Sequence, residues 1–311
     1  MEFFHKKTSY PFMHTRKVWY VVSAVLILVS IASLAVRGLN FGIDFTGGVV
    51  LELNFPQAAD LEKVRAGLEK AGYGDAAVQS FGTSRDVLVR LLPEEGQDVN
   101  ALGRNVLAAI EAGDPGVELR RTEVVGPQVG QELAEKGALA VLFTFVLILA
   151  YVALRFQWKL GVGAIVAALH DPIVILGLFS ITGLTFDLPA LAAILAVIGY
   201  SLNDTVVVFD RLRERFLSVR KGTPEQIIDM AVNETLSRTI MTSGTTMITV
   251  LALLFFGGEI LRGFATALTI GIVVGTYSSI YIASATALDL KLTARDLLPA
   301  QREKGEVDDM P

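Results

Sequence analysis

The chain has 311 residues, no cysteine and three histidines, and its formal net charge of −5 averages clusters of opposite sign. Hydrophobic residues make up 52% and charged ones only 19%, with a mean hydropathy of +0.52. That balance points to a polytopic membrane protein with a polar insert and argues against a soluble enzyme. Disulfides, thiolate nucleophiles and cysteine-built metal sites are excluded. His5, His14 and His170 leave little material for a histidine centre, so no metal site is expected; no cofactor is expected either.

Residues 1–17 are polar and aromatic, with Lys6, Lys7, Arg16 and Lys17. Residues 18–36 are an unbroken apolar stretch long enough to cross a bilayer. A cleavable signal peptide is the alternative, since Ser33, Leu34 and Ala35 loosely resemble a cleavage site. A signal core is usually only about 7–15 residues, however, and further spans follow. We read 1–36 as the N-terminus and an uncleaved first transmembrane helix.

Residues 37–135 read as a soluble domain. Val49, Leu51, Leu53 and Phe55 alternate with Val50, Glu52 and Asn54, the period of a half-buried strand. Leu61, Val64 and Leu68 have helical spacing within 59–71, closed by Gly72. Strands follow at 76–81 and 87–92, joined by a Gly-Thr-Ser turn. Val99, Leu102, Val106 and Ile110 mark a second helix, and 117–125 is a last strand. The order β-α-β-β-α-β is that of a ferredoxin-like α+β domain.

Five more apolar spans fall at about 137–154, 160–181, 188–209, 239–256 and 263–288. The expected limits are therefore 136–290 for spans two to six and 291–311 for a C-terminal tail. Arg155 and Lys159 lie between spans two and three; Arg211, Arg213, Arg215, Arg220 and Lys221 lie between four and five. Lys291, Arg295, Arg302 and Lys304 follow span six, whereas the loop between spans three and four has no Lys or Arg. By the positive-inside rule both termini are cytoplasmic and 37–135 is exported. The fold class is an α-helical polytopic membrane protein of six transmembrane helices, with one exported ferredoxin-like domain inserted after the first.

Within span four, Asn203 and Asp204 interrupt an otherwise apolar run. An ionisable side chain at membrane depth is costly and usually functional. Asp204 stands roughly 9 Å from the middle of the span at 1.5 Å per residue, toward its basic end. Tyr200 and Ser201 share its helical face. Asp204 is either a protonatable relay or a structural carboxylate bonded to a neighbouring hydroxyl. Arg238, at the start of span five, is the candidate cation; Thr239, Thr242, Thr246 and Thr249 run up one face from it. That stripe could guide water to Asp204 or serve as a small-residue packing face.

His170, Asp171 and Pro172 sit mid-span three. Neighbouring residues on a helix point about 100° apart, so no simple His170–Asp171 pair is expected. A kink at Pro172 and a part in proton passage are both open. Gly271 and Gly275 form a GxxxG packing pair. Asp210, with Arg211 and Arg213, closes span four at the interface. Asp44, Gly47 and Gly48 connect span one to the insert, the glycines for sharp turns and Asp44 for capping or docking.

The stretches FGIDFTGG at 41–48, LHDP at 169–172 and IGYSLNDTVVVFDRLRE at 198–214 resemble the SecF family of protein-export membrane proteins. The resemblance spans nearly the whole chain, and its 198–214 motif is the most specific; the GG motif is shared with SecD. It implies a place in the resistance-nodulation-division superfamily and a complex with SecD beside the SecYEG channel in the bacterial cytoplasmic membrane. There an unfolded preprotein would be drawn outward using the proton gradient, with protons as the coupling ion. By the same resemblance, Asp204 and Arg238 carry proton passage, and the exported domain belongs to the periplasmic part of the machine. Three rivals remain: a passive assembly partner of SecD, a half-unit of a small-molecule or lipid exporter, and an intramembrane protease using Asp171 and Asp204. About 100 exported residues are too few for the porter domains of such exporters, and no matched pair of catalytic motifs supports a protease.

Overall fold

The computed structural model describes residues 8–92, 97–219 and 221–298. His5, Lys6, Lys7, Arg220, Arg302, Lys304 and the tail from 299 lie outside the described residues. Helix α1 (Arg16–Arg37) is followed by a short strand β1 (Asn40–Phe41) and a single turn α2 (Ile43–Thr46). The insert then runs β2 (Gly48–Asn54), α3 (Leu61–Lys70), β3 (Ala77–Phe81), β4 (Thr83–Leu91), α4 (Val99–Gly113) and β5 (Glu118–Val125). Its four-stranded sheet has the order β3-β4-β2-β5, with every neighbouring pair antiparallel. This is the expected β-α-β-β-α-β domain. Alternation along β2 buries Val49, Leu51 and Leu53 beneath Val64 and Leu68 of α3 and Leu102 and Val106 of α4. Asp60 caps α3, accepting from the backbone N–H groups of Glu62 and Lys63. The β3–β4 hairpin turns on Gly82 alone, tighter than the Gly-Thr-Ser turn expected, because its φ of +77° suits glycine.

The chain continues through α5 (Pro127–Arg155), α6 (Trp158–Thr182), β6 (Thr185–Phe186), α7 (Leu188–Ser218), α8 (Pro224–Phe256), α9 (Arg262–Ser278), a π-helical turn at Ser279–Ala283 and α10 (Ser284–Asp289). With α1, these supply, among the described residues, six helices long and apolar enough to cross a membrane. Helices α6, α7 and α9 are the most buried, and α1, α5 and α8 flank them. Small residues set the closest approaches. A Cβ on Gly271 would overlap Val197 of α7, and one on Gly177 would overlap Ser30 of α1.

Three helices, α5, α7 and α8, run well past the apolar stretches that betray them. The segment read as a loop at 210–238 is an antiparallel helical hairpin, formed by the end of α7 and the start of α8. Phe209, Leu212 and Phe216 pack there against Ile227, Ile228, Ala231 and Val232. Hydropathy detects an all-round apolar helix and misses an amphipathic continuation. A capping box of Thr223 and Gln226, with Pro224 at the first position, starts α8. Helix α5 likewise begins at Pro127, ahead of the expected domain limit at 135.

Candidate functional site

The insert meets the helix bundle through the segment around Asp44. Strand β1 pairs in parallel with β6, matching Asn40 to Thr185 and Phe41 to Phe186. This pairing, which no sequence signal announced, carries Asp44 to the start of α7. There Asp44 Oδ2 accepts from the Leu188 N–H at 2.9 Å, while Asp187 caps the same helix by accepting from Ala190 N–H at 2.8 Å. Two carboxylates at a helix N-terminus suit its exposed N–H groups. Burial, together with the Asp44 charge, raises the Asp187 pKa above the usual carboxylate range. Gly47 and Gly48 both have positive φ, +70° and +130°. A Cβ on Gly47 would stand 2.8 Å from Pro127 Cα, and one on Gly48 would stand 2.5 Å from Leu91 O. The two glycines therefore let the turn press against α5 and β4.

Deep in the bundle, Asp204 is 7% exposed. Its Oδ1 accepts from Thr239 Oγ1 of α8 at 2.7 Å, and its Oδ2 has no partner. Thr205 donates to Ser279 at 3.1 Å, and Ser279 in turn stands beside Asp204. Arg238 is exposed and forms no ion pair with Asp204 among the described residues, although it lies within electrostatic reach. The threonine stripe is not a single unit. Only Thr239 reaches Asp204; Thr242, Thr246 and Thr249 donate to carbonyls of their own helix, as threonines in helices do when no outside acceptor is in reach. Tyr200 does not contact Asp204 either. Its hydroxyl donates to Ser243 at 3.3 Å, and Ser243 is bonded to Thr276 at 2.7 Å, tying α7, α8 and α9 together. Asn203 is exposed and makes no side-chain hydrogen bond among the described residues.

His170 and Asp171 do form a pair, against expectation, with His170 Nδ1 and Asp171 Oδ1 2.9 Å apart. Adjacent side chains diverge at Cβ, but an imidazole is long enough to fold back onto a short neighbour. Asp171, with no exposed surface, also accepts at Oδ2 from Ser201 Oγ at 2.5 Å and from Ser278 Oγ at 2.9 Å. Pro172 sits inside α6, which stays helical from Trp158 to Thr182. Asp210 is bound by Arg155 of α5, Nη2 reaching both carboxylate oxygens at 2.7 Å, rather than by Arg211 or Arg213. Arg211 turns instead to Glu214 and Glu234. Ser201, Thr205, Thr239, Ser278 and Ser279 are buried hydroxyl residues around the two aspartates. Serine and threonine are so common in membrane helices that nothing in the sequence sets Ser278 and Ser279 apart.

Six membrane-length helices, an inserted β-α-β-β-α-β domain and a buried carboxylate network define a multi-pass membrane protein organised around intramembrane ionisable groups. Residues 105–293 match the family described as protein export membrane protein SecD/SecF, C-terminal, and residues 32–59 match the SecD/SecF GG motif. The chain belongs to the SecF family of protein translocase subunits. It is 50% identical over 303 residues to a protein translocase subunit SecF of Vibrio alginolyticus, covering 96% of each chain. It is 49% identical to one of Pseudomonas aeruginosa over 96% of this chain and 97% of that one. A crystal structure of SecDF from Thermus thermophilus superposes with a TM-score of 0.82 at 38% identity, covering 91% of this chain. A SecDF structure in a super-membrane-facing form gives 0.69 at 37% identity over 93% of this chain. This chain spans 39% of the length of either SecDF chain.

Proposed function

We propose that the chain is the smaller subunit of a SecD–SecF complex in the bacterial cytoplasmic membrane, which uses the proton gradient to draw an unfolded preprotein outward beside SecYEG. Both termini lie on the cytoplasmic side and the insert is exported. The observation that carries this reading is Asp204, buried with one oxygen anchored to Thr239 and the other unpartnered. A buried carboxylate free at one oxygen can take a proton there without breaking an existing bond. A partner is supported by Asn203, Arg238 and Thr242, which are exposed on α7 and α8, where lipid would leave a charge or an amide unmatched.

In this mechanism, loss of the proton from Asp204 leaves a charge that draws Arg238 inward, and its return releases the arginine. Moving one charge across about 100 mV makes available about 2.3 kcal/mol. That biases a two-state equilibrium about fiftyfold. A folded domain is stable by roughly 5–15 kcal/mol, so the work available suits a ratchet on an already unfolded chain. Proton exchange at Asp204 changes how α7 packs, and α7 is bonded at its far end to Asp44, which leads directly into the insert.

The test uses vesicles holding SecYEG, SecA, SecD and either this chain or Asp204→Asn. Completion of a stalled preprotein is followed with and without a proton gradient after ATP is removed. Gradient-driven completion only with the unaltered chain is expected. Equal behaviour would make the aspartate structural and the chain a passive assembly partner of SecD.

A further inference from the structure

Two buried side-chain polar atoms have no hydrogen-bond partner among the described residues: Asp204 Oδ2 and His170 Nε2. Both lie among α6, α7 and the end of α9. Asp171 takes its hydroxyl donors from Ser201 on α7 and Ser278 at the end of α9. Asp204 is bordered by Ser279, the next residue along, which also accepts from Thr205 and donates to Ser201 O at 3.3 Å. The two carboxylates are thus held by the same pair of segments, where α9 passes into the π-helical turn. Such turns occur often at functional sites.

Accepting Asp204 as a proton-exchanging group, we propose that the His170–Asp171 pair is a second proton-binding site, held beside Asp204 by the segments that carry Ser201, Ser278 and Ser279. With Nδ1–H donating to Asp171, the Nε2 atom carries a lone pair and no proton. His170 is 2% exposed and Asp171 0%, so the pair with a neutral imidazole holds an unbalanced negative charge in a dry interior. Binding one proton at Nε2 converts it to an imidazolium–carboxylate pair of zero net charge, with no other bond made or broken. Releasing that proton restores the first state. Ser201 and Ser278 both donate to Asp171, whereas the Ser279 hydroxyl donates to the Ser201 and Gly275 carbonyls, so the two sites share backbone segments and not a continuous hydroxyl chain.

The groups facing the pair permit this. From α9, the Tyr277 ring lies with its centroid 5.9 Å from that of His170. Its hydroxyl is held by Ser23 at 2.5 Å and by the Trp19 carbonyl at 2.8 Å, both on α1. Tyr281 of the π-helical turn lies beyond it, its ring centroid 5.8 Å from that of Tyr277, and α7 contributes Asp204. No lysine or arginine pairs with Asp171 among the described residues.

The experiment reconstitutes this chain with SecD in vesicles carrying a trapped pH-sensitive dye and measures proton flux driven by a potassium diffusion potential. Asp171→Asn keeps an oxygen to accept from Ser201 and Ser278 but cannot share a charge. It should lower flux about a hundredfold, the low end of what a positioned proton acceptor supplies, with an unchanged amount of assembled complex. His170→Gln keeps a donor toward Asp171 but no proton acceptor, and should change the pH profile of flux. Flux and pH profile like those of the unaltered chain in both variants, with Asp204→Asn blocked, would overturn the second site while leaving Asp204 as the relay. If Asp204→Asn also conducts normally, the relay reading itself is wrong. Should Asp171→Asn fail to assemble, the His170→Gln profile decides alone: an unchanged profile refutes the site.

Discussion

At the scale of single residues, Thr239 is the side chain on which Asp204 depends. Its hydroxyl is the donor to the anchored oxygen, 2.7 Å away. A hydrogen bond to a charged group contributes about 1.5–3 kcal/mol. Thr239→Val, which keeps the shape and removes the hydroxyl, should therefore reduce proton flux about tenfold or more, and Thr239→Ser should restore most of it. In the insert, Asp86 is buried among Thr83, Asn54 and Arg120. Their bonds, led by that of Thr83, hold its carboxyl below the usual range. The folded state therefore gives up the proton more readily than the unfolded chain. This stabilisation is present above about pH 4, the unfolded value, and is lost as pH falls through the folded one. Protection of the β4 amides in the full chain, taken relative to their intrinsic exchange rate at each pH, should fall on acidification, and Asp86→Asn should remove that dependence while costing about 1–2 kcal/mol at pH 7.

At the scale of elements, the glycine pair shows why a short turn can be demanding. Gly48 combines a φ of +130° with a backbone carbonyl where its Cβ would stand. Neither the strain nor the contact can be relieved by turning a flexible side chain. Gly48→Ala should cost about 1–3 kcal/mol, read as a lower thermal midpoint of the solubilised chain and faster exchange where β2 meets β4. The GxxxG pair plays a comparable part between α7 and α9, where Val197 and Ser201 fill the space over Gly271 and Gly275. Ser201 can reach Asp171 because those glycines let the helices close.

At the scale of the whole molecule, the insert and the bundle are joined at several points. Arg90 of β4 donates to Phe41 O at 2.5 Å and to Asn40 Oδ1 at 3.2 Å, the Gly47–Gly48 turn rests on α5, and Asp44 caps α7. Around these contacts a cavity of about 670 Å³ separates the open face of the sheet from the helix ends. If α7 transmits the proton event, Asp44→Asn should leave proton flux near that of the unaltered chain and lower gradient-driven export about tenfold, a coupling of typical size. Measuring both in the same vesicles separates transmission from proton uptake; loss of flux would instead make Asp44 part of the relay.

Periodicity alone was enough for the six spans and for the insert's element order, because apolar runs and period-two alternation are local consequences of burial. Asp204 stood out for the same reason, as an ionisable group in an apolar run. The partners of these groups were not legible. Asp171 looked splayed from His170 because helix geometry places the Cβ atoms but not the ring, and its grip by Ser201 and Ser278 comes from segments far apart in sequence. The long hairpin of α7 and α8 was hidden because one wet face lowers hydropathy without ending a helix. By itself the sequence determined which residues are too polar for their surroundings. Only the tertiary structure decided which of them meet, because hydrogen bonds between helices depend on how closely the backbones pack, and no local pattern records that.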